Sequence, residues 1–242
     1  MVRLSVNVNK VATLRNSRGG SVPDILEAVR TCLTAGARGI TVHPRADERH
    51  VTPTDVREIA ALLAPRRDEI EYNLEGDPRP DFLELAHEVK PHQVTLVPVK
   101  PGEVTSEAGW PADTALHDVV ADLKAAGMRV SLFVDPTPQA IAWAKDAGGD
   151  RVELFTEPHA HAAAESSDAG GRSFARYVES AQRAHELGLG VNAGHDLDLE
   201  NLVLFRNLPH LDEVSIGHAL MSRALFVGLE KVVREYLDVL RV

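Results

Sequence analysis

Gly39-Ile-Thr-Val-His-Pro-Arg-Ala-Asp-Glu-Arg-His50 is the stretch on which the fold turns. Ile40-Thr41-Val42 has the β-branched composition of a buried strand. Pro44 lacks an N–H and cannot extend a central strand, so the strand ends near His43. An imidazole therefore stands at a strand's C-terminal end, and Arg45, Arg49 and His50 fall in the polar turn beyond it. In parallel α/β proteins ligands bind at such ends.

The flanking chain alternates strand and helix. Upstream, Arg3–Val8 reads as a strand and Pro23–Ala35 as a helix, with Ser21 as candidate cap and Gly36 as stop. Downstream, Thr52–Leu63 reads as a helix, with Thr52 as N-cap and Pro53 at the tolerated first position. The remaining expected strands are Glu69–Glu75, Gln93–Pro98, Arg129–Asp135, Arg151–Thr156, Gly190–Gly194 and Val214–Gly217. The remaining expected helices are Asp81–Val89, His117–Ala126, Thr137–Ala147, Ser173–Leu187, Leu199–Asn207 and Ser222–Leu240. About eight such units imply parallel strands joined by right-handed crossovers. At 242 residues they favour an α/β fold of the closed (β/α)₈ TIM-barrel type, a single domain over residues 1–242. The rival open sheet is weakened by the lack of Gly-x-Gly-x-x-Gly after the first strand. Two connections, Lys100–Thr114 and Glu157–Arg172, exceed what a barrel needs and lie on its C-terminal face. The second, with Gly170-Gly171, is the candidate mobile lid.

Composition narrows the function. The longest apolar runs are strand-length, so no membrane span is expected. Met1-Val-Arg-Leu runs straight into a strand pattern without an apolar leader. The single Cys32 sits in a helical pattern as a core residue and cannot form an internal disulfide, which fits a cytoplasmic protein. A net charge of −10 argues against nucleic acid and requires a local basic cluster for any anionic ligand.

Reading the strand ends together gives the candidate site: Asn7, Asn9 and Lys10 after the first strand, His43 after the second, Glu75 after the third, and Thr105 beyond the fourth. Glu153 lies in the sixth strand and points inward if it alternates with Arg151 and Phe155. Asn192-Ala-Gly-His195 closes the seventh and Gly217-His218 the eighth. His43, Glu75 and His195 have the chemistry of a general acid–base set. The basic cluster is Lys10, Arg15, Arg18, Arg45 and Arg49, with Arg18-Gly19-Gly20 in a loop whose backbone can approach an anion. A second anion site is expected at Ile216-Gly217-His218 and the start of the last helix. Arg223 reads as a surface residue. Two anion sites flanking an acid–base set suggest two phosphorylated substrates or one bisphosphate. The competing reading is a metal-dependent barrel aldolase or hydrolase acting on a phosphorylated substrate. The His-x-His pair typical of many metal-dependent barrel hydrolases is replaced by Asn7-x-Asn9, so no metal ligand is assigned.

Nine segments resemble one family. They are Val6-Asn7; Ala12-Thr13-Leu14-Arg15-Asn16-x-Arg18-Gly19; Gly39-Ile-Thr-Val-His43-x-Arg45-x-Asp47-x-Arg49-His50; Asn73-Leu74-Glu75; Lys90-Pro91-His92; Leu96-Val97-Pro98; Glu103-Val104-Thr105; Val191-Asn192-Ala193-Gly194-His195; and Ile216-Gly217-His218-Ala219. Together they are similar to the PdxJ family of pyridoxine 5′-phosphate synthases over nearly the whole chain. The resemblance implies a (β/α)₈ barrel with extra helices, assembled as a homo-octamer. It implies condensation of 3-amino-2-oxopropyl phosphate with 1-deoxy-D-xylulose 5-phosphate to pyridoxine 5′-phosphate, phosphate and water, without metal or organic cofactor. Carried over by position, His43 and Glu75 would accept protons, His195 would donate one, and Glu153 would stabilise a charged intermediate. Asn7, Arg18, Asp196, Gly217 and His218 would hold the amino ketone phosphate. Arg45, His50 and Thr105 would hold the deoxyxylulose phosphate, with Asn9-Lys10 standing where better-known members have Asp-His. Asp196 replaces a more usual glycine, and Ala64–Ile70 looks lengthened.

Overall fold

The computed structural model describes residues 2–241 apart from 101 and 104. Among these, eight parallel strands close in chain order: β1 (Arg3–Asn7), β2 (Gly39–Val42), β3 (Glu71–Gly76), β4 (Gln93–Leu96), β5 (Arg129–Val134), β6 (Arg151–Leu154), β7 (Gly190–Ala193) and β8 (Leu211–Ile216). β8 pairs back onto β1, with Leu4 beside Val214 and Val6 beside Ile216. The expected (β/α)₈ barrel is the fold.

The two faces of each strand differ. Leu4, Val6, Ile40, Val42, Leu74, Leu96, Leu132, Leu154 and Ile216 enter one large apolar cluster shared with the surrounding helices. The alternating residues are equally buried but polar, among them Ser5, Thr41, Asn73, Gln93, Thr95, Ser131 and Asn192. All of these but Ser131 bond a polar side chain in the lumen. Ser5 Oγ and Thr41 Oγ1 lie 2.7 Å apart, and Asn73 Oδ1 accepts from Thr95 Oγ1 at 2.9 Å and Gln93 Nε2 at 3.2 Å. Barrel lumens are more often filled by Val, Ile and Leu. Here burial is tolerated because these polar atoms, Ser131 Oγ excepted, have polar partners.

Eleven helices surround the strands among the described residues: α1 (Asn9–Asn16), α2 (Ile25–Ala35), α3 (Pro53–Leu63), α4 (Pro80–Val89), α5 (His117–Ala125), α6 (Pro138–Asp146), α7 (Glu157–Glu165), α8 (Ser167–Glu186), α9 (Leu202–Phe205), α10 (His218–Val227) and α11 (Leu229–Leu240). Thr52 caps α3 in a capping box with Asp55, and Thr137 caps α6 through the Ala140 N–H; each helix starts on the expected proline. Cys32 is fully buried in the core, and burial pushes its thiol up to about 12. The segment before β3 carries a 3₁₀ turn, Ala64–Arg66.

Several expectations are corrected. The cap of α2 is Asp24, whose carboxylate accepts from the Leu26 and Glu27 N–H groups, not Ser21. The segment after β1 is not a loop but α1, which places Lys10 in its first turn. The candidate lid Glu157–Arg172 is helical, forming α7 and the first turns of α8, which pack together. Gly170 allows that contact, since a Cβ there would stand 3.1 Å from the Ala163 backbone. The expected last helix is two, broken at Gly228, whose φ of 90° suits glycine. Only Leu202–Phe205 of the segment Leu199–Asn207 is α-helical.

Lys100–Thr114 is a long connection without regular structure; its residues 101 and 104, the latter part of the Glu103-Val104-Thr105 motif, lie outside the described residues. Its far part is pinned to the barrel. Trp110 donates its backbone N–H to Phe133 O and its indole N–H to Leu96 O, and the Trp143 indole N–H binds Thr114 O. Gly109 passes so close to β5 that a Cβ would sit 2.3 Å from Asp135 N.

Candidate active site

A cavity of about 450 Å³ opens at the C-terminal end of the barrel. Asn7, Asn9, Lys10, His43, Arg45, His50, Glu75, Thr105, Glu153, His195, Asp196, Gly217 and His218 all line it, joined by Arg49. With Val97 after β4 and Phe133 of β5, side chains from all eight strand exits thus meet in one space, of the size usual for a small-ligand site. Arg18 is the exception. It lies just past α1, exposed, and is not part of the lining. Arg15 also leaves the basic cluster. It forms a two-pronged pair with Asp55, at 2.5 and 2.8 Å, and ties α1 to the start of α3.

The acid–base groups sit on the cavity floor. His43 Nδ1 is 3.9 Å from Glu75 Oε2, and Asn7 Nδ2 reaches the same carboxylate oxygen at 3.5 Å. Neither Arg45 nor Arg79 pairs with Glu75; Arg79 is held by Asp77, Asp81 and Pro44 O. Asn9 has a backbone task. Its Oδ1 accepts the His43 N–H at 3.0 Å, while its own N–H donates to Asn7 Oδ1. The exits of β1 and β2 are thereby locked, which sets the height of the His43 ring.

Burial shifts these groups in opposite senses. It drives His43 well below the ordinary imidazole value, with Arg45 and His50 adding to the effect. Burial raises Glu75 well above the ordinary carboxyl value, with Glu153 reinforcing it. Glu153 is pushed up to about 7 by burial, with His195 opposing the rise. His50 falls to about 4 through burial, then Arg45 and Lys10. His43 Nε2, His50 Nδ1 and Glu153 Oε2 are buried without a hydrogen-bond partner, as befits groups that face a ligand.

His195 stands against an apolar wall. Its ring packs edge-on to Phe155 at 5.3 Å and Phe133 at 6.4 Å. Its Nε2 is 2.8 Å from Thr105 Oγ1, and its carbonyl accepts from the Thr156 hydroxyl. Gly194 is needed because a Cβ there would lie 2.0 Å from Ser215 O.

Cations flank the floor on one side. Arg45 is buried, and neither it nor Lys10 has a carboxylate partner among the described residues. Arg49 bonds Asp47 and donates to Glu103 O, joining the turn after β2 to the loop after β4. From β8, on the other flank of β1, Gly217 and His218 open α10, which no side chain caps, so its first N–H groups can receive an anion. Arg223 lies away from this, on the surface with Glu235. Among the described residues no three His, Cys, Asp or Glu side chains converge to hold a metal ion.

Sequence reading missed the apolar wall and Ser106, Ser215 and Thr13 of the lining. The alternation that turned Glu153 inward applies equally to Val97, Phe133 and Phe155, which form their own buried cluster.

Comparison with known proteins adds to this geometry. Residues 4–242 match the family described as pyridoxal phosphate biosynthesis protein PdxJ. A pyridoxine 5′-phosphate synthase of Christiangramia forsetii is 50% identical over 247 residues, covering 100% of both chains. One from Bacteroides fragilis is also 50% identical over the full length of both. A phosphoribosyl anthranilate isomerase from Thermotoga maritima superposes with a TM-score of 0.63 over 100% of this chain and 99% of its own; at 14% identity it shares the fold alone.

Proposed function

The chain belongs to the PdxJ family, and from that premise we propose how its cavity works. The activity is that of a pyridoxine 5′-phosphate synthase, an enzyme of vitamin B6 biosynthesis. 3-Amino-2-oxopropyl phosphate and 1-deoxy-D-xylulose 5-phosphate condense to pyridoxine 5′-phosphate, with phosphate and water released. The single observation that supports our assignment of roles is one cavity lined both by acid–base groups and by two sets of anion-binding groups.

Imine formation, dehydration and aldol-type closure are all proton transfers, so a floor that holds groups of opposed proton affinity can run them in turn. His43, kept neutral by burial, offers a lone pair to a substrate proton. Glu75, 3.9 Å away, holds its proton more tightly than an exposed acid and serves as acceptor once ionised by a bound ammonium or iminium. Glu153, poised near 7, balances positive charge on the nitrogen intermediate. His195 is the donor to departing oxygen.

Arg45, His50, Thr105 and Lys10 form the deoxyxylulose phosphate edge, with Asn9 contributing through His43. Gly217, His218, Asn7 and the backbone of Asp196 form the amino ketone phosphate edge. Arg18 reaches neither edge within this chain's own cavity. The reading treats residues 1–242 as one domain and places the enzyme in the cytoplasm as a homo-octamer. Among the described residues no helix is long and apolar enough to cross a membrane.

Supplying both phosphates to the purified protein tests the reading. Pyridoxine 5′-phosphate and inorganic phosphate should appear together in equal amounts. A folded protein that forms neither overturns it.

A further inference from the structure

Asp196 occupies a backbone position that glycine would fill without strain, at φ 63°. An L-residue kept in the left-handed region at a cavity edge points to a use for its side chain. The position is fixed, since the buried Asn201 donates its amide N–H to Asp196 O at 3.1 Å and Leu197 N–H closes a turn on Gly194 O. So held, Asp196 Oδ2 lies 2.9 Å from His195 Nδ1, within ion-pair reach, although Nδ1 has no aligned hydrogen-bond partner. The opposite ring nitrogen faces Thr105 Oγ1 and the cavity. The carboxylate is held below its ordinary value, chiefly by His195, then by His218 of α10 and His161 of α7. The other charged group facing the imidazole is Glu153 of β6.

We infer that Asp196 is a positioning residue for His195: its carboxylate holds the Nδ1 edge of the ring by charge and leaves Nε2 facing Thr105 and the substrate. The inference rests on His195 being the proton donor. It also explains how a carboxylate sits beside a phosphate edge. Its charge faces the imidazole edge rather than the phosphate.

Asp196→Asn and Asp196→Gly test this. Asparagine tolerates the left-handed backbone and glycine relieves it, so both variants should melt no lower than the parent. Following the His195 ring nitrogens by NMR without substrate, the Nδ1 and Nε2 resonances of Asp196→Asn should move from those of the parent, because the charge that holds the ring edge is gone. In turnover, kcat should drop on the order of tenfold, with its alkaline limb moved to lower pH and KM for either phosphate within about twofold of the parent. Unmoved ring-nitrogen resonances and an unmoved pH profile in a folded Asp196→Asn overturn the inference. The NMR comparison needs no substrate, so it decides the contact even where the parent itself fails to turn over the two phosphates; that second failure counts against the synthase reading alone.

Discussion

The two ends of the barrel lumen use similar residues for opposite purposes. At the N-terminal end Glu71 takes both Arg3, at 2.9 Å, and Arg129, while Arg151 lies 3.7 Å from Asp212 and donates to Asn192 Oδ1. Arg129 also donates to Gln93 Oε1. At the C-terminal mouth the acids Glu75 and Glu153 have no guanidinium pair, and imidazoles stand beside them. Guanidinium keeps its proton and locks a carboxylate in its charged form; imidazole can give its proton back. One end is therefore a closed ionic plug and the other a set of groups able to change protonation. Four experiments bear on the contrast.

The largest effect should come from removing titration at the mouth. Glu75→Gln and His195→Asn should each lower kcat by about 10²–10⁴-fold while leaving the melting temperature near the parent's. Near-normal turnover in both would mean that the mouth is as inert as the plug.

Next, Glu71→Ala should leave Arg3 and Arg129 facing each other without their shared anion. We expect a loss of about 2–3 kcal/mol in denaturant unfolding, below a fully buried pair because both arginines are partly exposed. The kcat of the remaining folded enzyme should be unchanged, and a fall in kcat at unchanged stability would show that the two ends are not separate.

A smaller change is expected at the rim. Lys10→Met removes an unpaired cation from the mouth and should raise KM for the deoxyxylulose phosphate by about tenfold with kcat retained, an effect that added salt should mimic in the parent. If KM for the amino ketone phosphate rises instead, the two edges have been assigned the wrong way round.

The smallest effect concerns the plug's one strained acid. Glu213 sits 3.7 Å from Arg3 and is pushed up to about 8 by burial and by Glu71. Its folded value lies above an unfolded value of about 4.3, so the fold holds this proton more tightly. The stabilisation is full below the unfolded value and is lost as pH climbs toward about 8. Glu213→Gln should flatten the fall in melting temperature between about pH 5 and about pH 8. Parallel curves for variant and parent would place that titration elsewhere.

What could be read from the sequence follows from how local each signal is. Pro44 after a β-branched run, Thr52-Pro53 and Thr137-Pro138 state strand ends and helix starts within a few residues, and the barrel follows from their repetition. His43, Glu75, Glu153 and His195 were legible because strand exits are the places where a barrel shows polar groups to a ligand. The misses depend on distant partners. Arg15 looks like an anion ligand until the fold brings Asp55 to it. Asn9 looks like a sugar ligand until β2 offers the His43 N–H. α1 starts at Val8 without a side-chain cap, so no start signal marks it. The segment Glu157–Arg172 reads as a lid because it is long and holds Gly170-Gly171, yet it is also rich in Ala. Alanine is the strongest helix former, and Ser166 caps α8 through the Ala169 N–H.

The connection after β4 has an optical consequence. The chain contains two tryptophans. One indole lies on that connection and bonds β4, and the other grips its far end from α6. Displacing the segment over the substrates would break these bonds and expose both rings to solvent. Intrinsic emission would then report a single local event, with no dye attached and no background from elsewhere in the molecule.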